Sequence, residues 1–137
     1  VVTTEGLNNF LDTYIGDLSK VNTWYVGLVS VTSFTGFAIT DTMASHAGWT
    51  EYTDYSETTR PILALGDPSA GVMNNPITID FTPNNDVSVV GYFITSVATK
   101  GAATGYLPIQ GYFAEGTSAF KAGNLSKFTF TITARSQ

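Results

Sequence analysis

Apolar residues recur with a helical period at the start of the chain. Leu7, Phe10, Leu11, Tyr14, Ile15 and Leu18 fall at i, i+3, i+4, i+7, i+8 and i+11, with Asn8, Asn9, Asp12 and Asp17 off that stripe. Thr3 or Thr4 can cap the start, Glu5 complements the N-terminal dipole, and Gly16 or the region of Lys20 marks the end. A six-residue apolar face needs a covering surface. The expectation is a helix laid across one side of a sheet, with a helix held for a subunit contact as the alternative.

After Asn22 the period becomes extended. Trp24 to Val31 is a near-continuous apolar run containing Gly27, the pattern of a strand buried on both faces or closely approached by another backbone. A second strand is expected at Phe37 to Thr40. Ile77, Ile79 and Phe81 alternate with Thr78, Asp80 and Thr82, and the turn Pro83-Asn84-Asn85-Asp86 follows. Val87 to Val97 is apolar on both parities, with Val87, Val89 and Phe93 on one face and Val90, Tyr92 and Ile94 on the other. Such a strand should be central, or covered by the helix on one side and a second sheet on the other. Tyr106 to Ala114 places Ile109 and Phe113 opposite Tyr106, Gln110 and Tyr112, while Phe128, Phe130 and Ile132 alternate with threonines. Residues 98–105 and 115–124, rich in small and hydroxyl side chains, read as connections. Six to eight strands at this spacing predict a mainly β fold: an antiparallel two-layer β-sandwich, jelly-roll or Ig-like, with a short N-terminal α-helix. A single domain is expected over 1–137, comprising a helix in 1–20 and a sandwich in 23–137 with a long loop at 41–61.

Composition narrows the function. The 137 residues are 43% hydrophobic but only 12% charged, so threonine and serine must supply much of the wet surface. A net charge of −5, with Lys20, Arg60, Lys100, Lys121, Lys127 and Arg135 as the cations, leaves no basic stripe for nucleic acid. The lack of cysteine removes disulfides, zinc ribbons and thiol nucleophiles. With no long apolar run and no signal-like start, no membrane contact is expected, and synthesis in the cytosol is.

The segment from Asp41 to Arg60 lacks a simple core pattern. It holds the only histidine, one of two tryptophans, four carboxylates and an isolated arginine. Asp41, Ser45 and His46 have the residue types of a triad, but adjacent Ser45 and His46 on an extended chain would point apart, and no nucleophile elbow is present. Glu51 with Asp54 or Glu57 could form an acid–base pair, with Trp49, Tyr52 and Tyr55 as sugar platforms. One histidine among scattered carboxylates does not make a metal site, and no cofactor is expected. The structural alternative uses the same residues more simply. Arg60 makes a bidentate pair with one of Glu51, Asp54 and Glu57, His46 ties backbone groups together, Trp49 plugs the sandwich edge, and Gly48 allows a turn that a Cβ would obstruct. The candidate binding residues, for loop order or a subunit contact, are therefore Asp41, His46, Trp49, Glu51, Tyr55 and Arg60.

The combination of the N-terminal helix, Thr23-Trp24-Tyr25-Val26-Gly27-Leu28 and the block Asp41-Thr42-Met43-Ala44-Ser45-His46-Ala47-Gly48-Trp49-Thr50-Glu51, followed by Tyr55 and Arg60, resembles a group of small tailed-bacteriophage virion structural proteins. The resemblance runs on through Ile94-Thr95-Ser96 and Lys100-Gly101 to the closing strand. It implies a non-enzymatic virion component made in the host cytoplasm, foremost a capsid decoration (cement) protein on the head. Its partners would be the major capsid protein and sister subunits in a homo-oligomer. A tail or fibre component, or a carbohydrate-binding receptor-recognition module, is the alternative. No catalytic residue is implied.

Overall fold

The computed structural model describes residues 1–133, so Arg135 lies outside the described residues. In chain order the elements are α1 (Thr4–Tyr14), β1 (Tyr25–Ser30), β2 (Glu51–Tyr52), β3 (Val72–Asn74), β4 (Ile79–Phe81), β5 (Val87–Thr95), β6 (Ile109–Tyr112), β7 (Ser118–Phe120), β8 (Ser126–Phe128) and β9 (Thr131–Thr133). The fold is mainly β, every strand pair is antiparallel, and the arrangement is that of a β-sandwich with one short N-terminal helix. The main sheet runs β2-β1-β5-β6, with β7 also pairing β5; β3-β9 and β4-β8 form two-stranded ribbons. The apolar run at 87–97 thus becomes the central strand.

A register shift decides which side chains share a face. Val26 pairs with Ile94, Leu28 with Tyr92 and Val29 with Gly91, but Ser30 pairs with Val89, leaving Val90 as the extra residue of a β-bulge. A bulge inverts the alternation beyond it. Simple parity put Val89 with Phe93 and Val90 with Tyr92 and Ile94. In the fold Val89 joins Ile94 and Tyr92 in one core cluster, and Val90 joins Phe93 in the other.

The two clusters lie on opposite faces of the main sheet. The larger packs Val26, Leu28, Val89 and Ile94 against Tyr52, Tyr55, Leu63, Ile79, Phe81 and Phe130, so the β4-β8 ribbon and the second half of the long loop form the opposing layer. The smaller packs Val29, Val90 and Phe93 against Met43, Trp49 and Leu107, with Phe34 and Phe37 at its margin. Gly27 belongs to this second face. It pairs with Phe93, and a Cβ there would lie 2.2 Å from Phe93 Cζ. The close approach to Gly27 is therefore by an aromatic ring crossing from the neighbouring strand, rather than by backbone.

The helix departs from the expectation most. Thr3 is its N-cap, accepting from Gly6 N, but the buried helical residues are Gly6 and Asn9, on the polar side. Leu7, Phe10, Leu11, Tyr14, Ile15 and Leu18 are all exposed, from 36% to 83%. The cause is local. A Cβ at Gly6 would lie 2.5 Å from Pro108 Cα, so only the glycine side of α1 can seat on the 107–108 backbone. Thr3 Oγ1 donates to Leu107 O, Thr3 N to Pro108 O and Thr4 N to Ile39 O, while Glu5 Oε2 accepts from Leu107 N.

Smaller corrections concern the connections. Residues 37–40 form no strand, because Ala38 directs its N–H to Asp41 Oδ2 and its carbonyl to Asp41 N and Gln110 Nε2. Ile77 is exposed and only Ile79 and Phe81 of its alternation face inward. The connection at 115–124 contains β7, and the loop at 41–61 contains β2. Among the described residues no helix is long and apolar enough to cross a membrane.

Candidate functional site

The loop from Asp41 to Arg60 folds inward. Its first half covers one face of the main sheet. Thr42 and Ser45 close a tight turn through paired backbone hydrogen bonds. Gly48 then passes so near Gly36 that a Cβ would lie 2.2 Å from the Gly36 carbonyl oxygen, and its own carbonyl accepts from Thr35 N at 2.8 Å. This apposition lets Trp49 enter the core, where it is almost fully buried beside Phe93, with ring centroids 5.0 Å apart.

Asp41 organises that half. It is buried, and Oδ2 accepts from Ala38 N at 2.9 Å, Trp49 Nε1 at 3.1 Å and Gln110 Nε2 at 2.8 Å. One carboxylate oxygen thus ties the preceding turn, the following tryptophan and strand β6 together. His46 stacks on Trp49 at 3.8 Å between centroids, and its Nδ1 lies 3.0 Å from Trp49 O. A carbonyl can only accept, so Nδ1 carries the proton. His46 ties one backbone group, not two.

The second half is anchored by Arg60. Its guanidinium is fully buried and meets Glu51 through Nε–Oε1 at 2.8 Å and Nη2–Oε2 at 2.7 Å. Nη1 donates to Val97 O and Nη2 to Ala102 O, while Gly101 N donates to Glu51 Oε2, so the pair clasps the connection after β5. The guanidinium carbon sits 5.2 Å from the centre of the Phe93 ring. Of the three neighbouring carboxylates Glu51 is the partner of Arg60. Asp54 instead accepts from Asn84 and Asn85, which hold its carboxyl below the usual range, and Glu57 accepts from Thr82 N.

These positions separate the triad candidates, and the carboxylates of the acid–base candidates are engaged by Arg60, Asn84, Asn85 and Thr82 N. Asp41 points into the core while His46 lies against Trp49, and the two share no hydrogen bond. Glu51 is neutralised in its ion pair. Trp49 and Tyr55 are buried and present no open ring face to a sugar, and Tyr52, also largely buried, lines a small open cleft of about 220 Å³ with Glu51 and Asp54. Among the described residues no three metal-ligating side chains converge. A second open cleft, of about 470 Å³, lies beneath α1 between Glu5, Asn9, Asp12, Thr40 and Tyr106. Gln110 and Lys100, whose Nζ donates to Tyr55 O at 2.8 Å over the Tyr55 ring, are the participants that sequence reasoning missed. A fully buried Gln110 between Ile109 and Gly111 is the one polar side chain in an otherwise apolar or glycine strand interior, and that contrast was its signal.

Tyr55 shows how tightly this half is enclosed. Burial foremost, and then the charge of Glu51, push its hydroxyl far above the ordinary tyrosine range; Arg60 opposes this, and Glu57 adds a smaller upward push. Burial also raises Tyr92. A raised folded-state value means that this contribution to stability is complete below about pH 10 and is lost as pH rises towards the folded value. In an alkaline titration, the tyrosinate absorbance of these two rings is expected only as the circular dichroism of the fold is lost. Tyr55→Phe should diminish the alkaline loss. Ionisation of all seven tyrosines in a chain that stays folded would contradict this.

Comparison with protein-family models and with curated proteins finds no match to this chain.

Proposed function

We propose that the chain is a non-enzymatic structural protein of a tailed-bacteriophage virion, a decoration protein bound to the outside of the head. The observation that carries this reading is the contrast between loop and surface. The polar groups of the 41–60 segment turn inward to fix the architecture, while the rigidly seated helix α1 turns its apolar face outward. A chain arranged this way acts by docking to protein surfaces. The resemblance of the Asp41–Glu51 block to virion proteins supplies the setting. That block forms the lid over one face of the sheet, so its sequence is tied to the fold. Exposed Ile39, Ile62, Ile77 and Leu125 add apolar contact area to a surface poor in charge.

Mass spectrometry of purified particles of the virus that encodes the chain is the test, with heads and tails separated. The chain is expected in intact heads, and purified chain should rebind heads from which it has been stripped. Presence in tails alone would move it to the tail, and absence from particles would overturn the reading.

A further inference from the structure

We propose that the apolar stripe of α1 is the seam of a two-fold homodimer, in which each copy covers the stripe of the other. The inference deepens the structural-protein reading and rests on it in treating the chain as an assembly component. The stripe is held outward by design of the contact beneath it. The Gly6–Pro108 approach and the hydrogen bonds of Thr3, Thr4 and Glu5 to the 39 and 107–108 backbone fix the roll of the helix. Rolling over to bury the stripe would break all of them.

The area matches a dimer. Leu7, Phe10, Leu11, Tyr14 and the C-cap residue Ile15, exposed between 52% and 83%, present on the order of 650 Å² of surface, against about 800 Å² per partner in a standard interface, while Leu18 lies beyond the helix and lines the cleft beneath it. Phe10 and Tyr14 stack at 5.0 Å, forming an aromatic anchor of the kind that dominates interface energies. The charge distribution permits a second copy at this stripe. Each chain carries −5, so most self-contacts bring like charges together. The stripe is uncharged, Glu5 is turned away to Leu107 N, and Asp12 lies on the cleft side of the helix with Thr40 and Tyr106. Two ridges of this kind pack by interdigitating side chains, and a two-fold contact covers both stripes at once and closes the assembly.

Sedimentation equilibrium of the full chain tests this. The wild type is expected at twice the 14.6 kDa chain mass at micromolar concentration. The double variant Leu11→Glu/Ile15→Lys should be monomeric, with dissociation at least about a hundredfold easier. Position 15 is the C-cap of α1, where a cation complements the helix dipole, so far-UV circular dichroism should not change. Because the chain has no cysteine, single substitutions report on geometry. Leu11→Cys should form an intermolecular disulfide on mild oxidation, and exposed Leu125→Cys should not. A wild type that is monomeric at about 100 μM, association unchanged in the double variant, or equal cross-linking at both cysteines would overturn the dimer. A monomer that binds heads and loses that binding in the double variant would overturn it while the virion reading stands, with the capsid covering the stripe. A dimer absent from particles would do the reverse.

Discussion

Arg60→Ala is expected to lower the free energy of unfolding by about 3–5 kcal/mol, the range for removing one member of a buried ion pair. The loss comes mostly from what stays behind. Glu51 would remain almost fully buried with Gly101 N as its remaining donor, and the carbonyls of Val97 and Ala102 would lose their guanidinium partner. Replacing both residues, as Arg60→Met/Glu51→Leu, removes the orphaned carboxylate and should cost less than Arg60→Ala alone. Urea unfolding of the three proteins, with m-values compared, measures both differences. A loss below about 1 kcal/mol for Arg60→Ala would mean that the site admits water and that the pair behaves as a surface one.

The clasp also shows why some of this loop was legible and some was not. An isolated arginine among three carboxylates and before a proline points to an ion pair, because residue chemistry and local spacing suffice for that. Which carboxylate it takes depends on β2 pairing with β1, which sets Glu51 opposite Val29, and a two-residue strand has no periodicity to read. The long apolar runs, β1 and β5, were legible as elements. Their faces were not, since a single bulge at Val90 exchanges the two sides beyond it. The helix repeats the lesson. Its period placed α1 and Thr3 as a possible cap, but the side it buries was decided by one glycine fitting against Pro108. The segment at 37–40 carries strand-forming residues, yet the carboxylate of Asp41 and the amide of Gln110 capture the Ala38 backbone before a sheet can.

That capture makes Asp41 the second position where a large effect is expected. Asp41→Ala should cost about 3 kcal/mol, because it leaves Trp49 Nε1, Ala38 N and one Gln110 contact without their acceptor in a buried setting. Gln110 keeps its bond to Ala38 O, so β6 should stay in place while the lid loosens. Asp41→Asn retains one oxygen at the same reach, so its cost should fall nearer 1 kcal/mol. The two substitutions therefore separate the loss of an acceptor from the loss of charge. Trp49 offers a local readout, since near-UV circular dichroism and emission report its packing against Phe93 and His46. Faster amide exchange is expected in residues 38–49 of the alanine variant, with protection in β1 and β5 falling only by the global change in stability. If Asp41→Ala unfolds at the wild-type midpoint and leaves exchange in the lid unchanged, the carboxylate does not hold the lid, and packing of Met43 and Trp49 alone closes that face.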